Sequence, residues 1–298
     1  THIYFGQKSI NVQVNRKNTM EVIIIIVLIT TAFIIYTNIL YETPSKQSVI
    51  TSDTISGVKN FAVYYGYNIN NTVLNYLNKF NMVIVQPDAF SLSNISSLSP
   101  IKIAYIDLGE YDGTCLGNFT INASKIAIGY DSQWNQTIVN ASSDLWNEYI
   151  LNMVNQSLKL GFNGVLFDDL DVVEQYPWEY NSLVDIISNV SHTFPHLIIG
   201  VNRGFEMLKS LTNYVNFVLY EDFGSYYNFS TDSYQIMNAS QIDNLTYNLE
   251  MIHSLKMKVF GLGYSLSPND YIYNYDLELG NANNIPVYIG NITLSSLW

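Results

Sequence analysis

A cluster of three carboxylates is the first feature of the sequence that could do chemistry. In the stretch GFNGVLFDDLD, residues 161–171, an apolar run ends in Asp168, Asp169 and Asp171. Carboxylates this close repel one another and raise one another's pKa. Because the chain has only 25 acidic residues in 298, three within four positions indicate a functional site.

Polar side chains also follow the other apolar runs of the chain. Glu221 and Asp222, for example, follow the run FVLY. Two carboxyl groups that flank a glycosidic bond can hydrolyse it, because one protonates the leaving oxygen while the other attacks the sugar or activates water. We therefore expect a glycosidase-like site where these ends meet. The polar residues at the ends of the other runs are Tyr65, Gln86, Asp88, Asp107, Glu110, Asn202, Arg203, Tyr264 and Asn291.

Eight apolar runs must position these residues. The runs are rich in β-branched and aromatic residues without strict alternation, which is typical of parallel strands buried on both faces. Segments with helical patterning separate them, so the sequence predicts an α/β fold, a (β/α)8 TIM barrel whose strands share one carboxyl-terminal rim. A doubly wound sheet is the alternative, but YYGYNIN after the first run is not a Gly-rich phosphate turn. The runs cover residues 61–66, 82–87, 101–110, 164–169, 197–202, 215–222, 257–264 and 285–290.

The acidic stretch also resembles a known signature. GFNGVLFDDLD is similar to the GxDGVxxDNxD pattern of the endo-α-1,4-polygalactosaminidase family, glycoside hydrolase family 114. The resemblance implies a retaining hydrolase of an amino-sugar polysaccharide, with Asp168 as the nucleophile and Glu221 as the acid/base. Other segments resemble the family in matching order over about 235 residues: AVYYG, VIVQPDAF, IAYIDLGEYDG, GVNRG, FVLYEDF and IPVYIGNITLSSL.

Two positions depart from the family pattern. Asp169 stands where many members have Asn, and Asn163 stands where many have Asp. The change at Asp169 adds a negative charge beside the expected nucleophile and bears on the choice of sugar. We expect backbone N–H groups or Arg203 to donate to Asp168 and keep it ionised.

Further rim residues are candidates for binding the substrate. Tyr64, Tyr65 and Trp178 could stack on a sugar ring, although packing is the commoner role in a chain with 24 tyrosines. Five of the polar candidates have structural alternatives: a helix N-cap for Asp171, loop positions for Asp107 and Glu110, a turn for Asn202 and an ion pair for Arg203. The predicted substrate-binding residues are Tyr65, Asp107, Glu110, Asp169, Asp171, Asn202, Arg203 and Tyr264.

The charge balance restricts the partners. The chain has 13 Lys and Arg against 25 Asp and Glu, a formal charge of -12, and it lacks the basic patches that nucleic-acid binding requires. An acidic rim would instead attract a cationic, non-acetylated amino sugar. One Cys and four scattered His give no metal-ligand spacing, so we expect neither a metal nor a cofactor.

The N-terminal region predicts a membrane segment. Residues 22–40 are 19 residues without a formal charge, which is enough to cross a bilayer, and Arg16 and Lys17 before them predict an inside N-terminus. We expect a short tail (1–21), a transmembrane or signal-anchor helix (22–40), a Ser/Thr-rich stalk (41–59) and a hydrolase-like barrel (60–298). The barrel would lie at the cell surface, or be secreted after signal cleavage.

Twelve Asn-x-Ser/Thr sequons agree with an exterior location. The sequons begin at Asn70, Asn94, Asn118, Asn122, Asn135, Asn140, Asn155, Asn189, Asn228, Asn238, Asn244 and Asn291.

The alternative function is a non-catalytic, glycosylated surface barrel for glycan binding or envelope structure. A separation of Asp168 and Glu221 above about 10 Å would favour this alternative, because a catalytic pair must flank one bond.

Overall fold

The computed structural model describes residues 52–298. The predicted tail, the predicted membrane helix at 22–40 and most of the predicted stalk lie outside the described residues and stay predictions. From residue 52 onward, no helix combines the length and the apolar character needed to cross a membrane.

Eight parallel strands form one sheet that curves into a nearly closed barrel. The strands follow one another in chain order around the sheet, and the last lies beside the first. No backbone ladder joins these two within the described chain; instead, the Tyr65 N–H donates to the Leu294 carbonyl at 2.8 Å. The predicted TIM-barrel-like fold is thus confirmed for these residues. The strands are β1 Phe61–Tyr64, β2 Met82–Val85, β3 Ile101–Asp107, β4 Gly164–Asp168, β5 Ile198–Asn202, β6 Phe217–Glu221, β7 Lys258–Tyr264 and β8 Val287–Gly290.

Helices connect the strands and pack on the outside of the barrel. Asparagine side chains begin several of them, as where Oδ1 of Asn70 accepts the Thr72 N–H at 2.9 Å. Such caps satisfy N–H groups that have no partner inside the helix. The main helices are α1 Asn71–Leu77, α2 Leu92–Ser97, α3 Asp144–Leu160, α4 Tyr180–Thr193, α5 Leu208–Leu211, α6 Ala239–Ser254 and α7 Tyr271–Asn283. Short helical segments are Ser52–Ser56, Pro87–Ala89, Ala123–Lys125, Val172–Gln175 and Pro177–Glu179.

Large aromatic side chains fill the barrel near the beginnings of its strands. The Phe260 ring lies 5.1 Å from that of Phe61 and 5.5 Å from that of Phe217, measured between centroids. All three are buried, and each contributes about 1.5–3 kcal/mol to folding by leaving water. This apolar base stabilises the barrel, so that the opposite rim can carry polar residues.

Two small antiparallel sheets extend the carboxyl-terminal rim. The β3 sheet follows β3 and consists of Glu110–Tyr111, Ala127–Asp131 and Gln136–Val139. The β6 hairpin follows β6 and pairs Ser225–Asn228 with Ser233–Ile236. Neither of them was predicted from the apolar runs of the sequence. Trp134 in the β3-sheet tip contacts Phe229 in the hairpin tip, with ring centroids 5.2 Å apart, so the two walls touch over the barrel mouth.

Candidate active site

Three side chains at the ends of neighbouring strands meet at the barrel mouth. Asp168 ends β4, Asn202 ends β5 and Glu221 ends β6. The Nδ2 of Asn202 donates to Oδ1 of Asp168 at 2.8 Å and to Oε2 of Glu221 at 2.6 Å. Because both bonds start at one nitrogen, these two oxygens are at most about 5.4 Å apart. The carboxyl groups of retaining glycosidases are about 5–5.5 Å apart, whereas those of inverting enzymes are about 6.5–9.5 Å apart.

The backbone turns sharply immediately after each of these three residues. The next residues, Asp169, Arg203 and Asp222, have φ angles of 60°, 51° and 56°, in the left-handed region that non-glycine residues rarely adopt. Each such residue costs about 1–3 kcal/mol and persists only where the surrounding structure compensates, often at functional sites. Three such residues at adjacent strand ends therefore indicate that this part of the rim is a functional site.

Tyr264 binds the second oxygen of Glu221. It ends β7 and is buried, and its hydroxyl donates to Oε1 of Glu221. Since Asn202 donates to Oε2, each oxygen of the carboxylate has a donor and the orientation of the group is fixed. Tyr65 and Tyr105, whose ring centroids are 4.5 Å apart, line the cavity at the barrel mouth together with this pair of carboxylates.

Burial raises the pKa of Asp168 to about 7, and the neighbouring Glu221 carboxylate adds to this effect. The Asp169 N–H, 2.7 Å from Oδ1, and the Asn202 amide stabilise the ionised form and act in the opposite direction. The predicted backbone donor to Asp168 is thus present, but Arg203 is not a donor to it. Burial and the Glu221 carboxylate outweigh these donors, so the pKa of Asp168 stays above its ordinary value in spite of them.

Further acids with unused hydrogen-bonding capacity lie beside the pair. In the described structure, Oδ1 of Asp107 and Oδ2 of Asp169 are buried and accept no hydrogen bond. The pKa of each is raised well above its ordinary value, first by burial and then by a neighbouring carboxylate. Burial and nearby acids also raise the pKa of Glu110 to about 7. All three line the cavity, so a ligand can supply the missing donors.

Arg203 forms ion pairs at the rim. Its Nη1 lies 3.7 Å from Oδ2 of Asp171 and 3.9 Å from Oδ2 of Asp222, so the ion pair considered for this residue is present. Half-exposed pairs of this kind contribute about 0–1 kcal/mol. Asp171 occupies the N-cap position of Val172–Gln175 but makes no capping hydrogen bond, so the N-cap alternative is not supported.

A cavity of about 590 Å³ covers these groups, and all ten predicted catalytic and substrate-binding residues line it. Arg203 is the one basic side chain among its described lining residues. Within residues 52–298, no group of three or more His, Cys, Asp or Glu is arranged to hold a metal ion. The lining acids are Asp107, Glu110, Asp112, Asp131, Asp168, Asp169, Asp171, Glu221 and Asp222.

Aromatic side chains that were not among the predicted site residues also line the cavity. Trp134 and Phe229 are 50% and 45% exposed and line the cavity together with Tyr227, whose ring lies 5.0 Å from that of Phe229. An aromatic residue among polar turn residues, as in DSQWN and NFSTD, is the signal that could have found them. Exposed rings of this kind can stack on sugar rings.

Several residues considered from the sequence do not line the cavity, among them Tyr64, Asp88 and Asn291. Trp178 is 67% exposed and is not among the residues that line it. Asn163 precedes β4, at the opposite end from Asp168, and its Oδ1 accepts the Lys102 N–H at 2.9 Å. The departure from the family pattern at Asn163 therefore concerns strand pairing rather than the cleft.

Known proteins resemble this chain in sequence pattern and in fold. Residues 67–271 match the model of glycoside-hydrolase family GH114, whereas none of the curated protein sequences matches. The glycoside hydrolase domain of PelA from Pseudomonas aeruginosa is 19% identical, with a TM-score of 0.71 over 81% of this chain and 98% of that one. Ega3 from Aspergillus fumigatus, in complex with galactosamine, is 15% identical, with a TM-score of 0.63 over 80% and 93%. At these identities the two structures establish the shared fold.

Proposed function

Because the chain belongs to glycoside-hydrolase family GH114, it is a glycoside hydrolase, and we propose that it cleaves an amino-sugar polysaccharide with retention of configuration. The observation that carries the proposal is the Asn202 bridge, which holds Asp168 and Glu221 within about 5.4 Å in an acidic cleft. This is the spacing of the catalytic pair in a retaining glycosidase. The non-catalytic surface barrel is therefore not favoured.

Asp168 acts as the nucleophile and Glu221 as the acid/base. In the first step the Asp168 carboxylate attacks the anomeric carbon while Glu221 gives its proton to the glycosidic oxygen, so the bond to the leaving sugar breaks as a glycosyl ester forms. In the second step Glu221 takes a proton from water, whose oxygen attacks the same carbon and releases Asp168.

Asn202 and Tyr264 position the two carboxylates. The two N–H donors of Asn202 hold the carboxylates apart, and the Tyr264 hydroxyl fixes the far oxygen of Glu221. The Oδ1 of Asn202 is buried and accepts no hydrogen bond within the described chain. It is available to a hydroxyl or ammonium group of the sugar.

A positively charged sugar suits the cleft. Nine acids and one arginine line it, and a charged wall of one sign attracts ligands of the other. The unpaired oxygens of Asp107 and Asp169 can accept hydrogen bonds from an ammonium group. The Ega3 complex contains galactosamine, an amino sugar, which supports the same substrate class here.

We also propose that the barrel works outside the cell, tethered by residues 22–40 or secreted. The uncharged segment after Arg16 and Lys17 supports this location, and all twelve sequon asparagines are exposed or partly exposed. Enzymatic removal of N-glycans from protein made in a eukaryotic secretory host should lower its mass. Unchanged mass would contradict glycosylation.

The proposal is tested on polymers and oligosaccharides of galactosamine, deacetylated and acetylated, with wild-type protein, Asp168→Asn and Glu221→Gln. We expect reducing ends to appear with wild type on the deacetylated substrates and a loss of at least about 10³-fold in both variants, because removing either partner stops one step. Asp185→Asn on the exposed side of α4 makes the same change away from the cleft and is the matched control. Equal activity in all proteins would overturn the site, and no cleavage of any amino-sugar polymer would overturn the substrate class.

A further inference from the structure

Asp276 is a buried acid outside the cleft. It lies on α7 and is 0% exposed, and no basic side chain of the described residues lies within ion-pair distance of it. Its Oδ2 hydrogen-bonds to the hydroxyl of Ser225, the first residue of the β6 hairpin. Burial raises the pKa of Asp276 to about 8, because an unpaired charge is costly in a site without solvent. At neutral pH the acid is therefore mostly protonated.

The hydrogen bonds around Ser225 are all satisfied only when Asp276 is protonated. Its Oγ accepts the Tyr264 N–H at 2.8 Å, and its hydroxyl lies 2.9 Å from the Tyr264 carbonyl and also contacts Asp276. One hydroxyl has one proton, so it cannot donate to the carbonyl and to an ionised Asp276 together. If Asp276 is protonated, the acid donates to Ser225, Ser225 donates to the carbonyl, and each contact has one donor and one acceptor.

Two glycines leave room for this carboxyl group. A Cβ at Gly263 would overlap Oδ2 of Asp276, and a Cβ at Gly224 would overlap Oδ1. Gly263 directly precedes Tyr264 at the end of β7, and Gly224 directly precedes Ser225. The chain thus has no side chain at the two positions where the carboxyl group of α7 reaches the end of the barrel.

We propose that Asp276 is a positioning residue that sets the place of Tyr264 and, through it, of Glu221. Both main-chain groups of Tyr264 bond to the Ser225 hydroxyl, which Asp276 orients, and the phenol at the other end of the same residue bonds to Glu221. Loss of the acid's donor lets the main chain at Tyr264 shift and moves the phenol from Glu221. This inference rests on the proposed acid/base role of Glu221.

Kinetics of Asp276→Asn, Asp276→Leu and Ser225→Ala test the proposal. Asn keeps the shape and a donor, whereas Leu has a similar volume without one. We expect Asp276→Asn to keep at least half of the wild-type kcat, and the other two to lose about tenfold or more in kcat with KM within twofold, at a temperature where circular dichroism shows all to be folded. Equal losses in the Asn and Leu variants, or no loss in Leu and Ser225→Ala, would overturn it.

A double-mutant cycle separates positioning from general damage. In the Tyr264→Phe background the phenol is gone, so Asp276→Leu should cause no further loss of kcat. A full additional tenfold loss in that background would mean that Asp276 acts by another route.

A measurement without substrate distinguishes failure of this inference from failure of the proposed function. In protein labelled with 13Cζ-tyrosine, the Tyr264 signal is assigned by its loss in Tyr264→Phe. It should shift in Asp276→Leu and in Ser225→Ala and stay in place in Asp276→Asn. An unmoved signal in the first two variants would contradict positioning, whether or not an amino-sugar polymer proves to be the substrate.

Discussion

At the scale of single residues, the site is a network of donors that all point at two acids. Asn202 bonds to both Asp168 and Glu221, and Tyr264 bonds to the second. Their positions after predicted parallel strands indicated that these side chains line one rim, since parallel strands present their carboxyl ends together. The family resemblance predicted the roles of the two acids. Neither observation predicted the Asn202 bridge, because a turn was an equally good interpretation of an Asn after a strand.

The first prediction concerns the pKa of Asp168. Because burial and the nearby Glu221 carboxylate both raise it to about 7, Glu221→Gln removes one cause and should lower it. Carboxyl 13C NMR of the free protein measures both titrations, with the Asp168 signal assigned by its loss in Asp168→Asn. A wild-type midpoint near the ordinary value of about 4, or no shift in Glu221→Gln, would contradict the coupling.

The second prediction concerns the departure from the family pattern at Asp169. Burial and Asp168 raise its pKa in the folded state, so the folded state holds a proton that the unfolded chain loses above about pH 4. Stability attributable to Asp169 is therefore lost as pH rises above about 4. Asp169→Asn removes this titration, and asparagine, like aspartate, tolerates the positive φ at this position.

We expect Asp169→Asn to raise the free energy of unfolding by about 1 kcal/mol or more at pH 7.5 and by little at pH 4. Urea denaturation at the two pH values measures the difference, with exposed Asp185→Asn as control. A gain of equal size at both pH values would show that ionisation is not its cause.

At the scale of elements, the apolar pattern predicted the buried strands of the barrel but did not predict the partly buried elements at its rim. The eight strands are continuous apolar runs, and each appears near its predicted position. Helical periodicity alone does not identify α7, because its buried face contains Asp276 and Gly280 beside Ile272 and therefore lacks an apolar stripe. The β3 sheet and β6 hairpin were missed because most of their residues are only partly buried.

The third prediction concerns these two elements. Trp134 and Phe229 place half-exposed rings at the cleft, on elements that carry neither of the two catalytic carboxylates. Trp134→Ala should raise KM for a polymer about fivefold to tenfold and leave kcat within twofold, since a lost stacking contact is worth about 1 kcal/mol. Trp178→Ala removes an exposed tryptophan outside the cavity and should change neither. A fall in kcat with unchanged KM would place Trp134 in the chemistry instead.

At the scale of the whole molecule, the net charge of -12 and the acids of the cleft act together. The fourth prediction is that kcat/KM for a deacetylated polymer falls several-fold between about 20 and 200 mM salt, because ions screen this attraction. An acetylated, uncharged oligomer of equal length is the control and should show little dependence. Salt-independent kinetics on the charged polymer would contradict electrostatic recognition.

The central claim is that Asp168 and Glu221 flank one glycosidic bond at the spacing of a retaining enzyme. Proton NMR of the first products of a galactosamine oligomer, recorded before mutarotation, tests it most directly. With the two carboxylates within about 5.4 Å, no water fits between the nucleophile and the sugar, and the fifth prediction is that the new reducing end first has the configuration of the bond that was cleaved. Initial appearance of the opposite anomer would contradict the claim.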